Sequence, residues 1–249
     1  MQILSFDPDR PDTWSEHLRS TLIASRQWSE PWFNERPGRA GTYDRLHEFL
    51  TPELRRYALR GWHCTRLLDT EVHKILNEGL QVLSEDLLLK RIDAAHAADE
   101  LTNEVAARLQ AGNVAGQRNR RRQLWFGFSS DLPDESAIGP LLRNWGGEAM
   151  YWALANDGKI APVLQSLGRP TVIDAWVPIS GLRAVQRLVD LVCQVDLQTA
   201  GLLEHPEVGN YEDYSTEPVP AENIIAITQY PGTDFERRTR CLAWREALK

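Results

Sequence analysis

His63 and Thr65 stand two residues apart in the segment YALRGWHCTRLLDTEVHKILNEGL, which runs from Tyr57 to Leu80. An imidazole and a hydroxyl can hydrogen-bond one ligand together if the chain is extended between them, because alternate side chains of a strand share a face. The surrounding residues sort by twos. Tyr57, Leu59, Gly61, His63 and Thr65 fall on one face, and Ala58, Arg60, Trp62 and Cys64 on the other. A helix is expected next. Asp69 or Thr70 is in place to cap it, Glu71 suits its positive N-terminus, and Val72, Ile75 and Leu76 form an apolar stripe. Gly79 should end it in a left-handed conformation. A histidine on a strand is also a common structural residue, satisfied within the fold.

A second stretch, near the C-terminal end, is NYEDYSTEPVPAENIIAITQYPG. Tyr211, Asp213 and Ser215 alternate with Glu212, Tyr214 and Thr216, as in a strand, and Ile224, Ile225, Ala226 and Ile227 read as a core strand. Three glutamates lie here. Glu212 lies on the alternating strand, Glu217 precedes Pro218 in the turn, and Glu222 opens the next strand. The plain reading is that all three are solvated loop acids in an acidic chain.

A strand carrying His-x-Thr, a helix ending in Gly-Leu and an acidic strand before VPAENII, in that order, resemble the ADP-ribosyltransferase superfamily. The likeness is to its diphtheria-toxin-like and poly-ADP-ribose-polymerase-like members, including bacterial toxins that modify nucleic acid. It covers Gly61 to Leu80 and Asn210 to Ile227, with a loose middle. The resemblance implies NAD as a substrate, with His63 on the adenosine ribose and Thr65 supporting the same pocket. It implies a single α+β domain, 1–249, of mixed strands around an NAD cleft with helices outside. Residues 1–50 would be an N-terminal helical extension, and 84–116 a helical insertion over one side of the site or, on the plainer reading, an ordinary packing layer. The family needs one glutamate, and among the three Glu212 is favoured, then Glu217; it would stabilise the positive charge that develops as nicotinamide leaves, and Arg66, Phe128, Gly147 and Tyr151 would complete the NAD site. The implied activity is mono-ADP-ribosylation of a macromolecule, nucleic acid or protein. An NAD glycohydrolase and a non-catalytic binding domain on the same scaffold are the alternatives. The residues do not separate a toxin paired with an inhibitor protein, a defence factor and a housekeeping enzyme.

The middle of the chain must position these groups. Trp14, Leu18, Leu22 and Ile23 mark a helix capped by Thr13 or Ser15, and Pro31, Pro37, Gly38 and Gly41 a loop. Leu46, Phe49 and Leu50 mark another helix, with Pro52 opening a further turn. Ser84 to Gln110 is strongly helical, through Leu87, Leu88, Ile92, Leu101, Val105 and Leu109. QRNRRRQ, Gln117 to Gln123, is the one dense basic run. Its plainer reading is a solvated turn; the other is an anion contact, to NAD pyrophosphate or to a nucleic acid. Leu124 to Ser129 reads as an aromatic strand. Trp145-Gly146-Gly147 breaks the pattern before a helix from Glu148 that carries Met150, Tyr151 and Leu154. Pro170 to Ile179 reads as a buried strand, Leu182 to Val195 mixes helix and strand signals, and a loop is expected around Pro206 and Gly209.

Composition narrows the class. The 249 residues suffice for one large domain or two small ones, and a hydrophobic fraction of 42% is that of a globular protein. A net charge of -7 argues against a general nucleic-acid coat protein but leaves room for a local basic groove. Cys64, Cys193 and Cys241 have no metal-ligand spacing, and His63 with His73 makes no HExxH zinc site. No apolar run suits a membrane span and no leader pattern is evident, so a cytoplasmic protein with reduced thiols and no membrane partner is expected. Walker, Rossmann and Gly-x-Ser-x-Gly motifs do not occur.

Overall fold

In the computed structural model, which describes residues 4–35, 40–129, 135–154, 156–205, 211–241 and 248, a short strand β1 (Leu4–Phe6) leads into helices α1 (Glu16–Glu35) and α2 (Ala40–Leu54). The chain then enters the long strand β2 (Tyr57–Leu67). Helices α3 (Asp69–Glu78), α4 (Glu85–Ala97) and α5 (Asn103–Gly112) follow, then β3 (Leu124–Gly127), α6 (Glu135–Arg143), α7 (Glu148–Leu154) and α8 (Ala161–Ser166). The last part comprises β4 (Arg169–Pro178), α9 (Val185–Thr199), β5 (Glu212–Ser215), β6 (Ile224–Gln229) and α10 (Thr233–Thr239). This is an α+β architecture around one open sheet of order β5-β3-β2-β4-β6, antiparallel apart from β1, which runs parallel to the start of β2. The expected loops at Pro37 and Gly38 and at Pro206 and Gly209 lie outside the described residues.

The sheet is covered on both faces. Leu59, Phe126, Ile173 and Val177 face a core made with α1, α2 and α9, including Leu22, Leu50 and Val189. Trp62, Cys64 and Val172 face a smaller core with Ile138 and Leu142 of α6 and Phe235 of α10. A third cluster joins α4 and α5 to α7 and α8 through Leu88, Ile92, Leu109, Trp145 and Met150.

Several elements differ from expectation. Pro31 and Pro52 lie inside α1 and α2 rather than in a loop or at a helix start. Trp28 packs on Phe49 and Trp32 on Tyr43, with ring centroids 5.3 and 4.7 Å apart, and this α1–α2 contact offsets the roughly 3 kcal/mol that an interior proline costs. The helical section after Ser84 is two helices, each capped by a hydroxyl: Ser84 accepts from the Leu87 amide and Thr102 from the Val105 amide. The ambiguous segment after Leu182 is a helix, α9. The Ile224 strand is an edge strand with Ile225 exposed, not a core strand. Helix α3 is preceded by Leu68 rather than capped by Asp69 or Thr70. Leu76 faces solvent, while Val72 and Ile75 pack inward.

Candidate functional site

β2 is paired along its whole length with β4, from Ala58 opposite Pro178 to Leu67 opposite Arg169. Its other edge is shared. β1 covers Tyr57 to Leu59, and β3 meets it only where Trp62 faces Gly127. Beyond that point the two strands part, and no ladder partner on this side follows among the described residues. β3 continues instead with β5, where Gly127 faces Glu212 and Trp125 faces Tyr214. The split opens a cleft of about 420 Å³ lined by Trp62, His63, Thr65, Arg91, Gly147, Tyr151 and Glu212, among others. A second chamber of about 240 Å³ adjoins it under α3 and α4, and His63, Thr65 and Arg91 line both.

His63 spans the split. Its Nδ1 is 2.9 Å from the Trp125 carbonyl oxygen, so the proton lies on Nδ1 and Nε2 is left as an acceptor. Burial pushes the ring's pKa below its usual value, and the nearby Arg91 charge adds to that; the Trp125 bond pulls the other way. The imidazole is therefore neutral at pH 7. Thr65, one pleat along, is buried on the cleft wall and faces Thr171 of β4.

Helix α3 ties the His63 strand to the segment after β5. Gly79 has φ +78°, and a Cβ there would lie 2.1 Å from the Val219 carbonyl oxygen. The close approach lets the Leu80 amide donate to Val219 at 2.8 Å and the Val219 amide donate back at 2.9 Å. The Gly-Leu helix end and the VPAENII turn are thus joined directly. This fixes the strand bearing Glu212 relative to the strand bearing His63.

Glu212 is exposed on β5 and lines the cleft. It shares a row with Gly127 and Trp62, and two strand spacings put the Glu212 and Trp62 backbones about 10 Å apart. Among the described residues no hydrogen bond or ion pair holds its carboxylate. Asp213, the next residue, faces the opposite way: it is buried and accepts from the Ala184 amide and the Tyr211 hydroxyl. Glu217 and Glu222 are exposed and do not line the cleft. Gly147, at φ +63°, leaves open space where a side chain would project, and Tyr151 follows one turn later on α7. Burial, with Glu148 nearby, raises the Tyr151 pKa, which keeps it a phenol.

Two expected residues lie elsewhere. Phe128 is in the core, stacked on Tyr211 at 5.1 Å, and Gly61 makes room for its ring. The cleft is lined by β3 from Leu124 to Gly127, on both parities, and Phe128 lies one residue beyond that stretch. Arg66 is buried, its Nε donating to the Leu167 carbonyl at 2.7 Å and its Nη1 to Leu142 at 3.4 Å. Burial lowers its pKa to about 10, so it stays charged as a clamp between β2 and the ends of α6 and α8. Arg66→Ala should lower stability in urea unfolding by about 2 kcal/mol, since it strips charge-assisted donors from buried carbonyls.

Two arginines also line the cleft, Arg91, which has no role in the sequence reading, and Arg120 of the basic run. Arg91 of α4 donates from Nε to Glu71 at 2.5 Å and lies 4.9 Å from the Trp145 ring centroid. Glu71 also accepts from the Leu68 amide and the Trp145 indole, so three elements fix Arg91 in place. Its Nη2 is buried without a partner. Arg120, alone among the arginines of the basic turn, is turned inward, bonded to Glu148 and Gln117, and its Nε is buried and unpartnered. Buried guanidinium donors without acceptors are rare and suit an anionic ligand.

Cys64 also borders the cleft, but burial and the Glu212 charge raise its thiol to about 12, so it is no nucleophile at neutral pH. Among the described residues no His, Cys, Asp and Glu group is placed to hold a metal ion, and no helix is long and apolar enough to cross a membrane. Compared with protein-family models, curated proteins and solved structures, the chain matches none.

Proposed function

We propose that the protein is an NAD-dependent mono-ADP-ribosyltransferase acting on a macromolecule. One observation carries the reading: His63, Thr65, Gly147, Tyr151 and Glu212, drawn from three strands or helices and a glycine turn, line one cleft. The adjoining chambers suit a long, two-ended ligand. A dinucleotide lying across them would pass its diphosphate by Arg91, where an unpartnered guanidinium nitrogen waits, with Arg120 as a second donor. His63 Nε2 and Thr65 would hold a ribose at the junction. Tyr151 would stack on the nicotinamide ring, with Gly147 allowing close approach.

Glu212 supplies the negative charge that the reaction requires. As the bond from ribose to nicotinamide breaks, positive charge grows on the sugar, and a carboxylate facing it stabilises that charge. It also accepts the proton of the attacking group. Glu212 is exposed, so water reaches it as readily as a macromolecule does. That exposure favours NAD hydrolysis as the second reading. Incubation with NAD should release free nicotinamide, and added acceptor should raise the rate and take up ADP-ribose. Release without any transfer would leave the glycohydrolase. No release with measurable NAD binding would leave a binding domain.

A further inference from the structure

Nine tryptophans occur in the chain, and the two that are exposed among the described residues, Trp125 and Trp152, both flank the arginine turn. Trp125 follows Arg122 by three residues, at the mouth of the cleft. Trp152 lies under the Arg120 guanidinium, 5.5 Å from its carbon to the ring centroid. Isolated exposed aromatics are ordinary on a protein surface. Two indoles beside the one dense basic run form a pattern, because flat rings interleaved with guanidinium groups bind unpaired bases and the phosphates between them.

The strand register relates this surface to the cleft. Trp125 faces Tyr214 across β3 and β5, with ring centroids 5.0 Å apart, and Gly127 faces Glu212 in the next row. Alternate residues share a face, so Trp125, Tyr214 and Glu212 all project to one side. Along β5 the Tyr214 backbone lies one pleat, about 7 Å, from that of Glu212. Arg118, Arg121 and Arg122 are exposed before β3, and exposed Arg183 is on the other flank, its amide donating to the Tyr214 carbonyl at 3.2 Å. Cations therefore border the aromatic pair on both sides. Glu148, an acid beside the turn, is already paired with Arg120.

We propose that Trp125, Tyr214 and Trp152 with the arginine turn form a docking surface for single-stranded nucleic acid, and that this strand is the acceptor. Its role as acceptor rests on the transferase reading; the binding surface does not. A base stacked on Trp125 holds its neighbour within reach of Glu212. The neighbour's nitrogen or oxygen lone pair forms a bond to the ribose anomeric carbon of NAD. The carbon–nitrogen bond to nicotinamide breaks, and its electron pair leaves with neutral nicotinamide. The acceptor's proton passes to Glu212 and then to water. The net charge of -7 confines binding to this face and keeps it weak elsewhere.

The test needs no NAD at first. Fluorescently labelled DNA and RNA strands of about a dozen nucleotides, and the matching duplexes, are titrated with the full chain at several salt concentrations. Single strands should bind better than duplexes. Trp125→Ala should weaken single-strand binding about tenfold and Trp125→Phe should restore most of it. The Arg121→Gln/Arg122→Gln pair should flatten the log–log salt slope by about 1.4, at roughly 0.7 per phosphate contact. That pair should leave acceptor-free nicotinamide release unchanged. Equal binding of duplex, or single-strand binding that neither variant alters, overturns the surface. NAD-dependent labelling of added protein but not of the strands overturns its role as acceptor surface. Strand binding with the expected dependences, but no nicotinamide release from NAD, supports the surface and instead removes the transferase reading.

Discussion

Glu212→Gln should slow nicotinamide release by on the order of a hundredfold or more while leaving NAD affinity nearly unchanged. The amide keeps the shape of the side chain and removes its charge. Glu212 is exposed on β5 and, among the described residues, bound to nothing, so the change leaves no buried partner unmet and folding should be intact. The charge it opposes exists mainly in the transition state. Turnover should therefore fall and binding should not. Glu217→Gln and Glu222→Gln are the controls, since neither residue lines the cleft. Steady-state nicotinamide release, with NAD affinity measured separately by calorimetry, separates the cases. A fall in affinity equal to the fall in rate would make Glu212 a ground-state contact. Wild-type turnover in the Gln variant would remove it from catalysis.

The strand-helix unit around His63 was legible because two simple signals agreed there. The period-two pattern from Tyr57 to Thr65 matches β2, and Gly79 marks the end of α3 at a position where only a glycine fits against Val219. The alternation at Glu212 was equally plain: Asp213 and Ser215 are buried and Glu212 is not. What failed were contacts that local spacing does not encode. Arg91 is one residue from the buried Ile92, so in sequence it is an ordinary charged flank of a helix stripe. Its role depends on Glu71 and Trp145, which come from α3 and the turn before α7. The inward turn of Arg120 depends likewise on Glu148. Phe128 lies one residue past the cleft-lining stretch of β3, stacked on Tyr211 in the core, a contact between strands that local spacing does not show. α9 resisted reading because its stripe of Val185, Leu188, Val189 and Val192 is rich in β-branched residues, which favour strands while the spacing favours a helix.

His63→Ala should weaken NAD binding by about 1–3 kcal/mol, the range for a desolvated hydrogen bond left unmade. The orientation of the ring makes the prediction specific. Nδ1–H is committed to the Trp125 carbonyl, so only the neutral form offers Nε2 as an acceptor to a ligand hydroxyl. Burial first, and Arg91 second, lower the folded-state pKa from 6.5, against the pull of the Trp125 carbonyl. NAD affinity should then stay level as pH falls through 6.5 and weaken only below it, where the imidazole at last protonates. Stability follows the same sign. The unfolded chain takes up its proton near 6.5 and the folded chain does so later. The folded state therefore loses stability as pH falls from 6.5 through the lowered value, and loses none above it. His63→Ala should remove that acid-side loss. Calorimetric titration with NAD and urea unfolding, each run on both sides of pH 6.5, read the two effects independently. A folded variant that binds NAD like the wild type would take His63 out of the site, whatever its stability does.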